Sequence, residues 1–213
     1  MIWQDIMVFI SYNLSDFNRL IKLSNLYSHI EIRQDLCQFT FDELDYLFQQ
    51  IKYPIFTVKG TFANIREQLL FALNQKVKYL DFDYNWDYSN LIDLKQDDRF
   101  KSTKFIASNH FKYQDFNKHD INKYIQFLAN IQVDYIKIVI EDVDNYEDYD
   151  KIKDVLNYNS GNIAIFCTGN FGKFSRVHAY INGCPLNYAA IGNQVRINAS
   201  QLDIGEYFSL SVD

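Results

Sequence analysis

Short apolar runs recur along the whole chain, at residues 6–10, 29–33, 54–59, 78–83, 104–108, 135–140, 162–167 and 186–191. Each has the length of a strand and is bounded by polar residues, so eight strands are predicted. Between several of them the apolar positions change to helical spacing. Leu44, Leu47, Phe48 and Ile51 form one such set; Phe62, Ile65, Leu69 and Ala72 a second; Ile121, Tyr124, Ile125 and Leu128 a third. Each set places its members on one face of a helix. Thr40-Phe41-Asp42-Glu43 has the form of a capping box, in which a hydroxyl and a carboxylate satisfy two orphan amides, and it predicts a helix over 40–51. Residues 84–102 show little helical periodicity and are expected to form a loop with one short helix.

Strands that alternate with helices pair in parallel through right-handed crossovers, and eight such units suffice to close a (β/α)8 TIM barrel. The expected architecture is a single α/β domain over 1–213. An open doubly wound sheet competes with it, but the chain carries neither the G-x-G-x-x-G nor the Walker turn that a nucleotide-binding open sheet would use. At 213 residues and 48% hydrophobic content one domain can bury a substantial core.

A formal net charge of −6, with no run of five or more basic residues, argues against a phosphate-tracking surface and so against nucleic acid as a partner. The first ten residues are apolar but lack a basic flank and a small-residue cleavage site, and are expected to be a first strand rather than a signal peptide. Nothing else reaches the length of a membrane span. Cys37, Cys167 and Cys184 are odd in number, lack metal-ligand spacing and lie mostly in apolar runs, as reduced core thiols of a cytoplasmic protein would. Glycine is scarce and asparagine common, so Asn and Asp are expected at many left-handed and turn positions.

Candidate chemistry gathers where the strands end, the face on which barrel enzymes place their sites. Lys137 interrupts the otherwise apolar run Tyr135-Ile136-Lys137-Ile138-Val139-Ile140. Burial disfavours an ammonium, and the neutral amine attacks ketones to form Schiff bases; the plainer reading is a lysine that reaches solvent at a strand end. Glu31-Ile32-Arg33-Gln34-Asp35 would turn a carboxylate and a guanidinium to the same side, suited to a polyhydroxylated or anionic ligand, or else to a solvated ion pair. Thr57-Val58-Lys59 and Asp81-Phe82-Asp83 end two further strands, and His110 follows the fifth in Ser108-Asn109-His110-Phe111. His29, His110, His119 and His178 show no metal-ligand spacing, and no G-x-S-x-G elbow supports a serine nucleophile. No metal site is expected.

Taken in order, Glu31-x-Arg33-x-Asp35, Ser108-x-His110, Lys137-Ile138 and Gly172-Lys173-Phe174-Ser175-Arg176 resemble type I 3-dehydroquinate dehydratase, the Schiff-base enzyme of the shikimate pathway. The resemblance covers nearly the whole chain. It implies a cytoplasmic, homodimeric (β/α)8 barrel without cofactor that acts on the small molecule 3-dehydroquinate. It further implies that Lys137 forms the imine, that His110 is the general acid and base, and that Arg176 holds the substrate carboxylate. Glu31 and Arg33 would bind ring hydroxyls, Lys59 would stand where the family has an arginine, Tyr188 would form an apolar wall, and Gln201 would come from a closing loop. Gly60-Thr61-Phe62-Ala63 lacks the Glu/Gln and glycine pair that usually follows the family's third strand; Asp81 or Asp83 could orient His110 instead, a point for geometry to decide. Two alternatives stand beside this reading: a class I Schiff-base aldolase, and a barrel that has lost catalysis and serves as a binding module.

Overall fold

Parallel strands covered on both faces must be apolar nearly throughout, and the runs read from the sequence meet that demand. In the computed structural model, which describes residues 7–59, 65–83, 93–94, 96–159, 161–192 and 199–210, eight strands form. They are β1 (Met7–Tyr12), β2 (His29–Arg33), β3 (Tyr53–Val58), β4 (Tyr79–Asp83), β5 (Lys104–Lys112), β6 (Tyr135–Glu141), β7 (Ile163–Cys167) and β8 (Leu186–Ala189). Their hydrogen-bonded order is β7-β6-β5-β4-β3-β2-β1-β8, so that strands consecutive in sequence are neighbours, and β7 and β8 at the two ends of that order are also in contact. The pairings β1–β2, β2–β3, β3–β4 and β6–β7 are parallel.

The chain divides into two compact units, one of Ile10–Ala107 and one of Met1–Phe9 with Ser108–Asp213. In the first, helices Phe17–Ser24, Gln34–Cys37, Phe41–Gln50 and Ile65–Asn74 alternate with strands. The capping box forms as expected: Glu43 N–H donates to Thr40 Oγ1 and Thr40 N–H donates to Glu43 Oε2. That helix buries Leu44 and Leu47 with Ile51 just beyond its end, and Phe48 meets Phe56 of β3 edge-on at 5.5 Å. The register pairs Ser11 with Glu31, Arg33 with Thr57, and Thr57 with Asp81.

In the second unit, helices Lys118–Asn130, Tyr146–Leu156, Gly172–Ile181 and Ile204–Leu210 follow the strands. Asn159 clamps β7 to the preceding turn, its amide donating to the Leu156 and Ile165 carbonyls while its oxygen accepts from Ile165 N–H. Ser175 ties the Gly172–Ile181 helix to the end of β7 by accepting from Cys167 N–H at 2.9 Å. Lys137 pairs with Ala164 in the β6–β7 register.

Several expectations are corrected. His110 lies inside β5, which runs on to Lys112 because Phe111 finds a partner in Tyr124, edge-on at 5.8 Å. Asp35 stands in the short helix Gln34–Cys37, so strand alternation does not place it. Among the described residues the non-glycine left-handed positions are Gln38, Lys76, Gln132 and Asp142; three are long side chains at turns that follow helices, Asp142 fits the expectation, and no asparagine is among them. The expectations on residues 6, 60–63, 84–92, 95 and 198 lie outside the described residues; of the expected loop, Asp98–Phe100 forms a 3₁₀ turn. Among the described residues no helix is long and apolar enough to cross a membrane.

All three cysteines are buried. Burial pushes the thiols of Cys37 and Cys184 up to about 12 and that of Cys167 up to about 11, from an ordinary 9.0. In the unfolded chain they ionise near 9.0, so their contribution to stability is complete below that pH and is lost as pH rises toward 11–12. Each thiol is expected to lower unfolding free energy by about 1.4 kcal/mol per pH unit across that window. Urea denaturation at pH 8, 9.5 and 10.5 checks this, with Cys37→Ala and Cys184→Ala expected to flatten the decline.

Candidate active site

The centre of β6 is buried from Ile136 through Ile140, and Lys137 is 5% exposed within it. Its ammonium lies over the ring of Tyr188 on β8, with Nζ 3.9 Å from the ring centroid. The negative face of an aromatic ring stabilises a cation, by about 2 kcal/mol where water is excluded. Ala164 opposite Lys137 adds little bulk beside the long side chain. Tyr188 is flanked by Phe9 at 6.3 Å and by Phe166 of β7 at 6.1 Å between ring centroids. Phe166 carries the second cation of this wall, the Arg176 guanidinium, whose Cζ is 4.1 Å from the ring centroid.

Arg176 sits in the first half of the Gly172–Ile181 helix and is 4% exposed. Burial pulls its proton affinity below the ordinary value, while Tyr207, which hydrogen-bonds to it, opposes that shift. Its Nε and Nη1 are buried without a hydrogen-bond partner among the described residues. A buried donor left unsatisfied is costly and rare, and these two, on different edges of the guanidinium, can each meet an acceptor oxygen of a ligand.

His110 of β5 is about one-third exposed, and its Nδ1 is 2.7 Å from Oε1 of Glu141, the last residue of β6. Sequence reasoning offered Asp81 or Asp83 for that orienting role; the contact seen is with Glu141, at the end of the strand next to β5. A readable signal existed: Glu141 is four residues beyond Lys137 and so on the same side of the strand.

In the other unit, Glu31 is buried at 2% exposure, and its two oxygens accept from hydroxyls, Oε2 from Ser11 at 2.5 Å and Oε1 from Thr57 at 3.0 Å. Arg33 forms a bidentate fork to Asp35, Nε to Oδ1 at 2.9 Å and Nη2 to Oδ2 at 2.6 Å. Burial alone would lower the guanidinium's proton affinity; the Asp35 hydrogen bonds, with Glu31 and Asp81 nearby, reverse that and raise it. Lys59 follows β3 by one residue and is half-buried.

Gln201 is buried at 2% exposure in the turn that precedes the Ile204–Leu210 helix. That turn is fastened to the residue after β8 by Ala190 N–H donating to Leu202 O and Ile204 N–H donating to Ala190 O. It also crosses Gly172 so closely that a Cβ there would meet the Ser200 Cβ at 2.1 Å, which is why the helix can begin only with glycine. Sequence reasoning named Thr57 only as a strand-end residue and did not pick out Ser11, Glu141, Phe166 or Tyr207 as site residues. Only Glu141 and the hydroxyl residues were accessible through strand parity, since Tyr207 reaches Arg176 from a distant helix.

Among the described residues no group of three or more His, Cys, Asp and Glu side chains is arranged to hold a metal ion. Comparison with curated proteins gave no match. Comparison with solved structures gave 3-dehydroquinate dehydratase from Aquifex aeolicus VF5, 16% identical with TM-score 0.77, covering 96% of this chain and 97% of that one. The type I enzyme from Clostridium difficile, solved with covalently modified comenic acid, is 16% identical with TM-score 0.76, covering 95% and 89%. The enzyme from Geobacillus kaustophilus HTA426 is 13% identical with TM-score 0.74, covering 97% and 90%. These likenesses establish the fold as a (β/α)8 TIM barrel. The family model for type I 3-dehydroquinase matches residues 14–208, nearly the whole chain, and the chain therefore belongs to the type I 3-dehydroquinase family of dehydratases.

Proposed function

We propose that this enzyme converts 3-dehydroquinate to 3-dehydroshikimate through a Schiff base on Lys137, with His110 moving the protons of a syn elimination. The observation that carries the reading is the secluded Lys137 amine, held against an aromatic wall inside an apolar strand. Lys137 Nζ attacks the C3 ketone and the adduct loses water to give a protonated imine, an electron sink that acidifies the C2 hydrogen. His110 removes that proton. The enamine then expels the C1 hydroxyl as water while the same imidazole returns the proton to it, and water finally hydrolyses the imine to free the amine.

The Tyr188 ring suits this course because the iminium, like the ammonium before it, keeps its positive charge beside a π face. Arg176 takes the substrate carboxylate, which is supported by its two unsatisfied donors. Glu31, Arg33 and Lys59 take the ring hydroxyls, with Glu31 held in place by Ser11 and Thr57, and Gln201 contributes from the last turn. The reading includes a homodimer in the cytoplasm that works without a cofactor.

Borohydride added with 3-dehydroquinate is expected to leave one ligand covalently on Lys137, seen by peptide mass, and Lys137→Ala is expected to abolish both the adduct and turnover. Absence of any adduct in the parent would sink the Schiff base; an adduct without product would mark a decayed enzyme. His110→Ala is expected to form the imine still but to release product about 10² to 10⁴ times more slowly. Near-parental product release by that variant, followed by ultraviolet absorbance, would remove His110 from its role.

A further inference from the structure

We propose that Glu141 is the positioning residue of the His110 base, a role that rests on the function proposed above. A carboxylate only accepts hydrogen bonds, so the 2.7 Å contact between His110 Nδ1 and Glu141 Oε1 places the imidazole proton on Nδ1. In the neutral ring the lone pair is then on Nε2, and that atom becomes the one that takes and returns the substrate proton. Without the contact Glu141 no longer favours one tautomer over the other, so fewer of the molecules present a base at Nε2.

The backbone at Glu141 is built to hold this geometry. Thr168 pins the end of β6 from both sides of the residue: its N–H donates to Ile140 O at 2.9 Å, its carbonyl accepts from Val143 N–H at 3.1 Å, and its hydroxyl accepts from Asp142 N–H at 3.2 Å. Asp142 then turns left-handed, with φ 63°, so the strand ends sharply after Glu141. Both members of the pair are about one-third exposed, and ion pairs this open contribute little to folding. The contact's consequence therefore lies in orienting the imidazole.

The test compares the parent with Glu141→Ala and Glu141→Gln, the latter keeping an acceptor for Nδ1–H without the charge. The expected order of kcat is parent, then Gln, then Ala, with a loss on the order of 10²-fold in Ala, while KM changes by less than about threefold and the borohydride adduct on Lys137 still forms. Thermal midpoints should agree within about 2 °C. Imidazole ¹⁵N spectra should show His110 as the Nδ1–H tautomer in the parent and as a mixture in Glu141→Ala. Parental kcat in both variants of an active enzyme would overturn the role. If the parent itself does not dehydrate 3-dehydroquinate, the proposed function fails separately, and a His110 tautomer that is unchanged in Glu141→Ala overturns the pairing.

Discussion

A charged amine inside an apolar strand is the constraint around which the second unit is arranged. Removing an ammonium from water costs several kcal/mol unless something replaces the lost solvation. For Lys137 part of that replacement is the face of Tyr188, 3.9 Å away. The demand propagates through the packing, because Tyr188 must be held flat against Lys137 by Phe9 and Phe166, and Phe166 in turn supports Arg176. The small Ala164 beside Lys137 belongs to the same solution. Two cations thus share one aromatic wall built from β1, β7 and β8, and the site's electrostatics and the strands' register are a single problem.

The remaining polar groups divide by what holds them. Glu31 and Arg33 are locked by short contacts with Ser11, Thr57 and Asp35. His110 is about one-third exposed and its Nδ1 meets Glu141. Under the proposed function, rigid binding groups and a more open proton carrier suit differential stabilisation of a transition state.

Much of this was legible from residue order. Strand runs, the capping box at Thr40 and the burial of Lys137 follow from periodicity and from one charged residue in an apolar context, both local properties of the chain. The helix face of Ile121, Tyr124 and Leu128 was equally readable. Part of what escaped depended on contacts between segments far apart in sequence. Phe111, past His110 in β5, packs on Tyr124 of a later helix, and the partner of Arg176 comes from the Ile204–Leu210 helix; the local Arg33–Asp35 fork escaped for a different reason, since Asp35 stands in a helix that strand alternation could not anticipate. The left-handed positions went to Gln38, Lys76 and Gln132 because the turn after a helix imposed the conformation whatever the local preference. At 13–16% identity to solved relatives the fold persists while individual side chains change.

The most direct measurement of the central claim is a crystal structure of the protein reduced in the presence of 3-dehydroquinate. The account predicts continuous density from Lys137 Nζ to the ligand ring, with the ligand carboxylate within hydrogen-bond reach of the Arg176 guanidinium. A ligand joined to a different lysine, or one whose carboxylate lies away from Arg176, would contradict it.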